Sequence, residues 1–394
     1  MSAMHAGKFR EGVRWRRRAW VLAALVMSAA VPADLAPAQV RLQERTFAPG
    51  SRLAGSGDGR LITVERGSWQ LSVWSSAGEL RRESRLPVSP EAVLSSLAVR
   101  PAWALVAVVD PASPGLTGLL VMLDSGAVAR RFEVPVFPAS LFPSPGGWLV
   151  QEVSFSDPPR LFELSDGGTL GPEWLTPASV WERAQAFGKA VAAAWTVAAA
   201  GSAVWAVPAG WYELWELSAD PPRVLTPPPC QAVSGHLLSP EAAAAKMGWR
   251  HGQEGRDLAG RLTKGAAGGI PSTPVPAATA PAKGSTARPR GSFFPAVLGV
   301  AGEGAQLAVL LDVAPAQPHG GCRVDLWEVR EGALRRTAPL AGPCPLRVAL
   351  AGGKVWLYEA SNQVSLLPAE AFSPPPPCPS SPPRCSRGGP RCGS

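Results

Sequence analysis

Leu326-Trp327-Glu328-Val329 is one of three close copies of a Leu-aromatic-Glu-aliphatic phrase in this chain. The other two are Leu161-Phe162-Glu163-Leu164 and Leu214-Trp215-Glu216-Leu217, and Val73-Trp74-Ser75 and Val121-Met122-Leu123 are looser copies. Each copy is followed within a few residues by a turn-forming residue. Repeats spaced about 40 to 50 residues apart are typical of a β-propeller, in which each copy belongs to one four-stranded blade.

The first predicted blade shows how the strands follow one another. A short inner strand begins at Arg52, and Asp58-Gly59 favours a tight hairpin turn. Residues 61–64 and 70–74 form the second and third strands, and residues 79–83 form a polar outer strand. The same order recurs along the chain and predicts an all-β fold, a six-bladed propeller of four-stranded antiparallel blades. Blades 1 to 4 are expected within residues 39–229, and blades 5 and 6 within residues 292–372.

Blade 6 has no obvious fourth strand before the proline-rich C-terminal tail. Val40 to Phe47 alternates polar and apolar residues and has no place in the other blades. We expect this segment to be an N-terminal closing strand that pairs into blade 6, since the ring would otherwise leave an exposed sheet edge.

Four aromatic residues occupy equivalent positions in the third strands. We interpret them as packing between blades, with a platform for stacking a ligand as the alternative: Trp74, Phe162, Trp215 and Trp327. The glutamates that follow three of them are interpreted as repeat residues, because a carboxylate needs a cleft and a partner to transfer protons.

The third-strand phrase is similar to the Leu-Trp-Asp-Leu phrase of Trp-Asp repeats. Over residues 40–370, apart from one insertion, the chain resembles six-bladed β-propellers of secreted bacterial proteins. The resemblance implies the blade architecture. No Trp-Asp dipeptide occurs in the chain, so no functional residue is carried over from that family.

The N-terminus predicts export. A basic region that ends at Arg18 precedes the apolar run Ala19 to Ala30, and Ala36-Pro37-Ala38 fits a cleavage site for a secretory signal peptide over residues 1–38. The apolar run is too short for a comfortable membrane span, although an uncleaved anchor is the alternative. We therefore expect a periplasmic or extracellular protein without a stable membrane span. Arg17-Arg18 also permits the twin-arginine export route.

Six cysteines in an exported chain suggest disulfide bonds. Cys322 opens the third strand of blade 5 and Cys344 follows its fourth strand, so antiparallel pairing brings them together as the candidate disulfide. Cys378, Cys385 and Cys392 are too widely spaced for a typical structural zinc site.

The net charge of +8 does not indicate nucleic-acid binding. Its excess lies in the leader, in residues 230–291 and in the tail 373–394, which leaves the predicted blades net negative. A nucleic-acid-binding protein concentrates positive charge on a folded face. Residues 230–291 are read as an insertion, first helical from Ser239 and then a flexible linker, and the tail as disordered.

No catalytic, cofactor-binding or metal-binding motif stands out. The His-Glu-x-x-His and Gly-x-Ser-x-Gly motifs are both missing from the sequence. Calcium is conceivable only if aspartates from different blades converge at the ring axis: Asp110, Asp124, Asp157, Asp166 and Asp312.

Two functions of different classes remain. The first is an exported binding or scaffolding module, a monomer that docks a protein or glycan partner. The second is a propeller hydrolase or lyase with its active site at the mouth of the central channel. Because fold does not determine function, the missing catalytic motifs favour the first.

Overall fold

The computed structural model describes residues 41–110, 115–136, 139–152, 157–187, 190–239, 241–243, 245–246, 292–314 and 321–378. The predicted signal peptide, residues 247–291 of the insertion and residues 379–394 of the tail lie outside these ranges. None of the described helices has both the length and the apolar character needed to cross a bilayer.

Seven antiparallel sheets follow one another along the described chain, and six of them are blades with their strands in sequence order. Blades 1 to 3 have four strands each: β1 Arg52–Gly55, β2 Leu61–Val64, β3 Gln70–Trp74 and β4 Leu80–Arg85; β5 Val93–Arg100, β6 Trp103–Val109, β7 Leu116–Met122 and β8 Val128–Val134; β9 Ala139–Ser144, β10 Gly147–Glu152, β11 Arg160–Leu164 and β12 Leu170–Trp174.

Blades 4 and 5 also have four strands, and blade 6 has three. Between blades 4 and 5 lies a two-stranded sheet, β17 with β18. The strands are β13 Trp195–Ala200, β14 Ala203–Pro208, β15 Leu214–Glu216 and β16 Arg223–Leu225; β17 His236–Leu238 and β18 Ser292–Phe294; β19 Val297–Glu303, β20 Gln306–Asp312, β21 Cys322–Glu328 and β22 Ala333–Leu340; β23 Arg347–Ala351, β24 Lys354–Tyr358 and β25 Val364–Leu367.

Few helices interrupt the described strands. The α-helix α1, Ala178–Ala186, connects blades 3 and 4. Four short 3₁₀ turns accompany it: Leu42–Glu44, Ala190–Ala193, Pro229–Gln231 and Ala369–Ala371. Residues 241–243 and 245–246 are helical, and Ser239 Oγ accepts a hydrogen bond from the amide of Ala242 at 3.3 Å.

The six inner strands, β1, β5, β9, β13, β19 and β23, surround the axis, and β1 packs beside β23 to close the ring. The predicted six-bladed propeller is confirmed. Sequence patterns missed the inner strands of blades 2 to 5. These strands are rich in alanine, glycine and serine, which are weak strand formers, as in the Ala-Ala-Ala end of β13.

Small residues are required where inner strands touch. A Cβ atom on Gly302 would overlap the carbonyl oxygen of Ala199 in the preceding blade, and one on Gly55 would overlap the carbonyl oxygen of Leu350. The neighbouring backbones therefore approach more closely than any side chain permits.

We expect Gly302→Ala to destabilise the protein by roughly 1–3 kcal/mol, because the added methyl group must push two backbones apart. Gly146→Ala is the matched control, since no heavy atom lies within 4 Å of its Cβ position. That substitution should be neutral or stabilising by less than about 1 kcal/mol. Chemical denaturation measures both variants. Equal stability for the two variants would contradict the close contact.

Hydrophobic clusters fill the space between adjacent blades, and the repeat aromatics lie in four of them. Each aromatic packs towards the preceding blade: Trp74 against blade 6, Phe162 against blade 2, Trp215 against blade 3 and Trp327 against blade 4. Trp74 and Trp327 are almost fully buried, whereas Trp215 is only partly buried. The four aromatics therefore lie between adjacent blades, where residues that pack one blade against the next belong.

The N-terminal segment joins blade 1 to blade 6. Leu42 donates its amide to the carbonyl of Gly78 at 2.7 Å, and Phe47 donates its amide to the carbonyl of Asn362 at 2.9 Å. Single β-bridges pair Arg41 with Glu79 and Thr46 with Gln363. The segment differs from the continuous strand expected from the sequence, because the 3₁₀ turn Leu42–Glu44 bends it between the two blades.

Candidate functional site: the central channel

The ends of the inner strands define the two faces of the ring. Arg52 and Arg347 begin β1 and β23, and they lie close enough for their charges to interact. At the other ends, Glu303 of β19 contacts the amides of Gly352 and Gly353 just after β23. We call the face where the inner strands begin the upper face and the opposite one the lower face. The connections from each blade to the next, including α1 and the insertion, start and finish on the upper face.

A cavity of about 760 Å³ runs between the inner strands. Its upper part is lined by two arginines and by hydroxyl side chains: Arg52, Arg347, Ser95, Ser96, Ser140 and Thr196. Its lower part is lined by Arg100, Trp103 and Glu303 together with small residues. The channel therefore has a basic, hydroxyl-rich upper mouth.

Arg52 is held in place by backbone groups. Its Nη1 donates to the carbonyl of Gly50 at 3.0 Å, and its Nη2 donates to the carbonyl of Ser95 in blade 2 at 3.3 Å. Its Nε is buried without a hydrogen-bond partner among the described residues. Burial and the positive charges of Arg347 and Arg66 lower the pKa of Arg52 to about 10, while Tyr358 opposes them.

Arg347 faces Arg52 across the junction of blades 6 and 1. Desolvation by the surrounding protein lowers the pKa of Arg347, although part of its surface stays exposed. A second, smaller cavity of about 220 Å³ shares both arginines and is also lined by Tyr358. Arg52 and Arg347 therefore line both the channel and this side cavity.

Acidic groups are scarce in the channel. Glu303 is the one carboxylate along the described lining, and no histidine or cysteine lies there. Glu303 accepts hydrogen bonds from the amides of Gly352 at 2.9 Å and Gly353 at 2.7 Å, which fix its carboxylate at the lower mouth. Neither a general base beside a nucleophile nor a pair of carboxylates is present in this part of the chain.

The aromatics singled out from the sequence are not brought together. Trp74, Phe162, Trp215 and Trp327 lie in four separate clusters, and none of them lines the channel. The glutamates beside them contact their own outer strands. Glu163 accepts a hydrogen bond from the indole of Trp174 at 3.0 Å.

The aspartates that suggested calcium are also dispersed. Asp124 pairs with Arg60 at 2.8 Å and Asp166 pairs with Arg100 at 2.6 Å, both close to turns of the lower face. Asp110 and Asp157 belong to separate loops of the upper face, and Asp312 is buried in blade 5. Within the described ranges, no group of three histidine, cysteine, aspartate or glutamate side chains is placed to hold a metal ion.

Two cysteine pairs join segments of the chain. Cys322 and Cys344, the pair favoured by the sequence, are disulfide-bonded with their Cα atoms 5.4 Å apart. A second disulfide joins Cys230, after blade 4, to Cys378, with Cα atoms 5.5 Å apart. Ser373 pairs with Thr337 of β22, so the described start of the predicted tail runs along blade 5.

A buried ion pair anchors the start of the insertion beside the upper face. Lys246 Nζ lies 2.8 Å from Asp312 Oδ2, and both side chains are fully buried. The ammonium group also donates to the carbonyl of Ala314 at 2.9 Å. Sequence patterns gave no sign of this contact, because the two residues are separated by the whole linker.

We expect Lys246→Met to destabilise the protein by about 3–5 kcal/mol, because Asp312 would keep a buried charge without its partner. The Lys246→Met/Asp312→Leu double variant should recover most of that loss, since the charge is then removed as well. Urea denaturation measures both. A single variant as stable as the parent protein would show that the pair contributes little.

Comparisons with solved structures find distant similarities. The chain is similar to the β-propeller domain of Cps50 (Swd1) from Myceliophteria thermophila, with 12% identity, coverage of 83% of this chain and 99% of that one, and a TM-score of 0.36. It is also similar to Hsv2 from Kluyveromyces lactis, with 9% identity, coverage of 78% and 71%, and a TM-score of 0.34.

No family model matches the sequence, and no curated protein matches it significantly. The class of the protein therefore rests on its ring of sheets, which defines a six-bladed β-propeller with an open channel.

Proposed function

We propose that this protein is a binding module whose channel receives part of a protein or glycan partner from the upper face. The observation that carries the proposal is the composition of the channel. It offers about 760 Å³ lined by arginines, hydroxyl groups and small residues, and its one described carboxylate is held by two backbone amides. This lining supplies hydrogen-bond donors for recognition and lacks a base positioned for hydrolysis or elimination.

Export to the periplasm or the cell exterior is part of the proposal. The leader pattern over residues 1–38 supports it, as do the two disulfides, which persist in oxidising compartments. Mass spectrometry of the purified protein should give a mature chain that starts at Gln39 and contains two disulfides. A reduced protein that retains the leader would contradict export.

Thermal unfolding of the mature protein against a panel of glycans and peptides tests the binding function. A partner at a hundred times its dissociation constant should add roughly 2.7 kcal/mol of apparent stability. The variant Thr196→Trp fills the channel from β13 and should remove the ligand-induced shift while the protein still unfolds cooperatively. Turnover of any panel member into product, lost in the same variant, would favour the hydrolase or lyase alternative instead.

A further inference from the structure

The upper mouth of the channel holds a group of arginines without acidic partners. The groups that shift the pKa of Arg52 are Arg347, Arg66 and Tyr358, and no carboxylate of the described chain is among them. Neither Arg52 nor Arg347 forms a salt bridge within the described residues. About half of the other described arginines form ion pairs, such as Arg100 with Asp166 and Arg183 with Glu213.

Keeping two like charges side by side in a partly desolvated wall is unfavourable. The Arg52 guanidinium loses hydration on partial burial, and the positive charge of Arg347 adds to that cost. An acidic side chain in this position would relieve both effects, as Asp166 does for Arg100 at the lower mouth. Among the described residues, no carboxylate acts on Arg52 at the upper mouth, and a bound oxyanion would supply the compensating negative charge.

The surroundings suit an oxyanion. Guanidinium groups present paired N–H donors that match carboxylate, sulfate and phosphate oxygens. The hydroxyl groups of Ser95, Ser140 and Thr196 lie on the neighbouring inner strands and face the same cavity. Arg66, in the loop between β2 and β3, contributes a third positive charge. Its Cδ atom packs over Gly50, 3.2 Å from the position that a Cβ on this glycine would occupy.

We propose that Arg52 and Arg347 bind an oxyanion group, a sulfate, phosphate or carboxylate, carried by the ligand that enters the upper mouth. This inference rests on the proposed binding function and specifies the chemical class of the partner. An acidic glycan or a phosphorylated or sulfated chain would place its charged group against the two arginines and its neutral part along the channel.

The test uses the mature protein with sulfate, inorganic phosphate and glucuronate, and with sodium chloride at equal ionic strength. At least one oxyanion should raise the melting temperature above the chloride reference. Arg347→Gln should raise the dissociation constant of that anion at least tenfold in isothermal titration calorimetry. The response to each anion shows whether the site prefers a tetrahedral oxyanion or a carboxylate.

Arg60→Gln is the matched control, because Arg60 lies outside the channel lining on the lower face and is paired with Asp124. The affinity of this control variant for the anion should equal that of the parent protein. An anion response that Arg347→Gln leaves intact would place the anion elsewhere and overturn the proposal. So would the absence of any response above chloride. A shift with a neutral glycan alone would overturn the oxyanion site and leave the binding function standing.

Discussion

A protein that lacks residues 39–48 is expected to lose its cooperative unfolding transition. Leu42 and Phe47 are 0% and 3% exposed in the cluster between blades 1 and 6, where they contact residues such as Trp74 and Trp356. Truncation of one buried Leu or Phe costs about 2–5 kcal/mol, and a typical domain has only about 5–15 kcal/mol of stability. Circular dichroism during a thermal melt would show a broad or missing transition.

Point substitutions distinguish the loss of these buried contacts from the shortening of the chain itself. Leu42→Ala and Phe47→Ala should each lower the melting temperature, whereas Gln43→Ala and Glu44→Ala, at exposed positions of the same turn, should leave it nearly unchanged. An unaltered melting temperature in the deletion would mean that the ring closes without this segment.

Removal of the disulfide between Cys230 and Cys378 is expected to cost about 5 kcal/mol. Its partners are 148 residues apart, and the loss of chain entropy in the unfolded state grows with the length of the closed loop. The disulfide between Cys322 and Cys344 closes only 22 residues, so its removal should cost about 3 kcal/mol.

The comparison uses the double variants Cys230→Ser/Cys378→Ser and Cys322→Ser/Cys344→Ser, which leave no unpaired member of either disulfide. Guanidinium denaturation under non-reducing conditions gives both free energies of unfolding. The long-range pair should show the larger loss. The reverse order would mean that effects in the folded state, such as the buried position of Cys322 and Cys344, outweigh loop length.

The parts of the fold that could be predicted are those with a local pattern. The third strands of four blades carry an aromatic residue beside aliphatic ones, and this repeat, extended by matching strand patterns in the other two, predicted the number of blades. Cys322 and Cys344 could be paired because they stand at adjacent ends of antiparallel strands. The inner strands had no such signal. Their composition is set by close contact between backbones, as at Gly302, and not by alternating burial.

The candidate site could not be predicted from the sequence, for a different reason. Arg52 was predicted at the start of an inner strand, but 295 positions separate it from Arg347, and only ring closure brings the two together. The one available signal was that both inner strands begin with arginine and then continue with apolar residues. The pairing of Lys246 with Asp312 and that of Cys230 with Cys378 could not be predicted either, because the partners are far apart in the sequence.

The position of the seam between blades 1 and 6 also dictates an order of folding. Thr46 pairs with Gln363, and Phe47 with Asn362, so residues near the beginning of the ring find their partners only after the last blade has been synthesised. Contacts of such long range are slow to form. Blades 2 to 5 can associate as neighbours while Trp74 and Leu61 still face solvent, and the final step is the meeting of the two ends. A nascent chain of this protein therefore carries an exposed apolar sheet face until synthesis is complete, and it is during this interval that aggregation competes with folding.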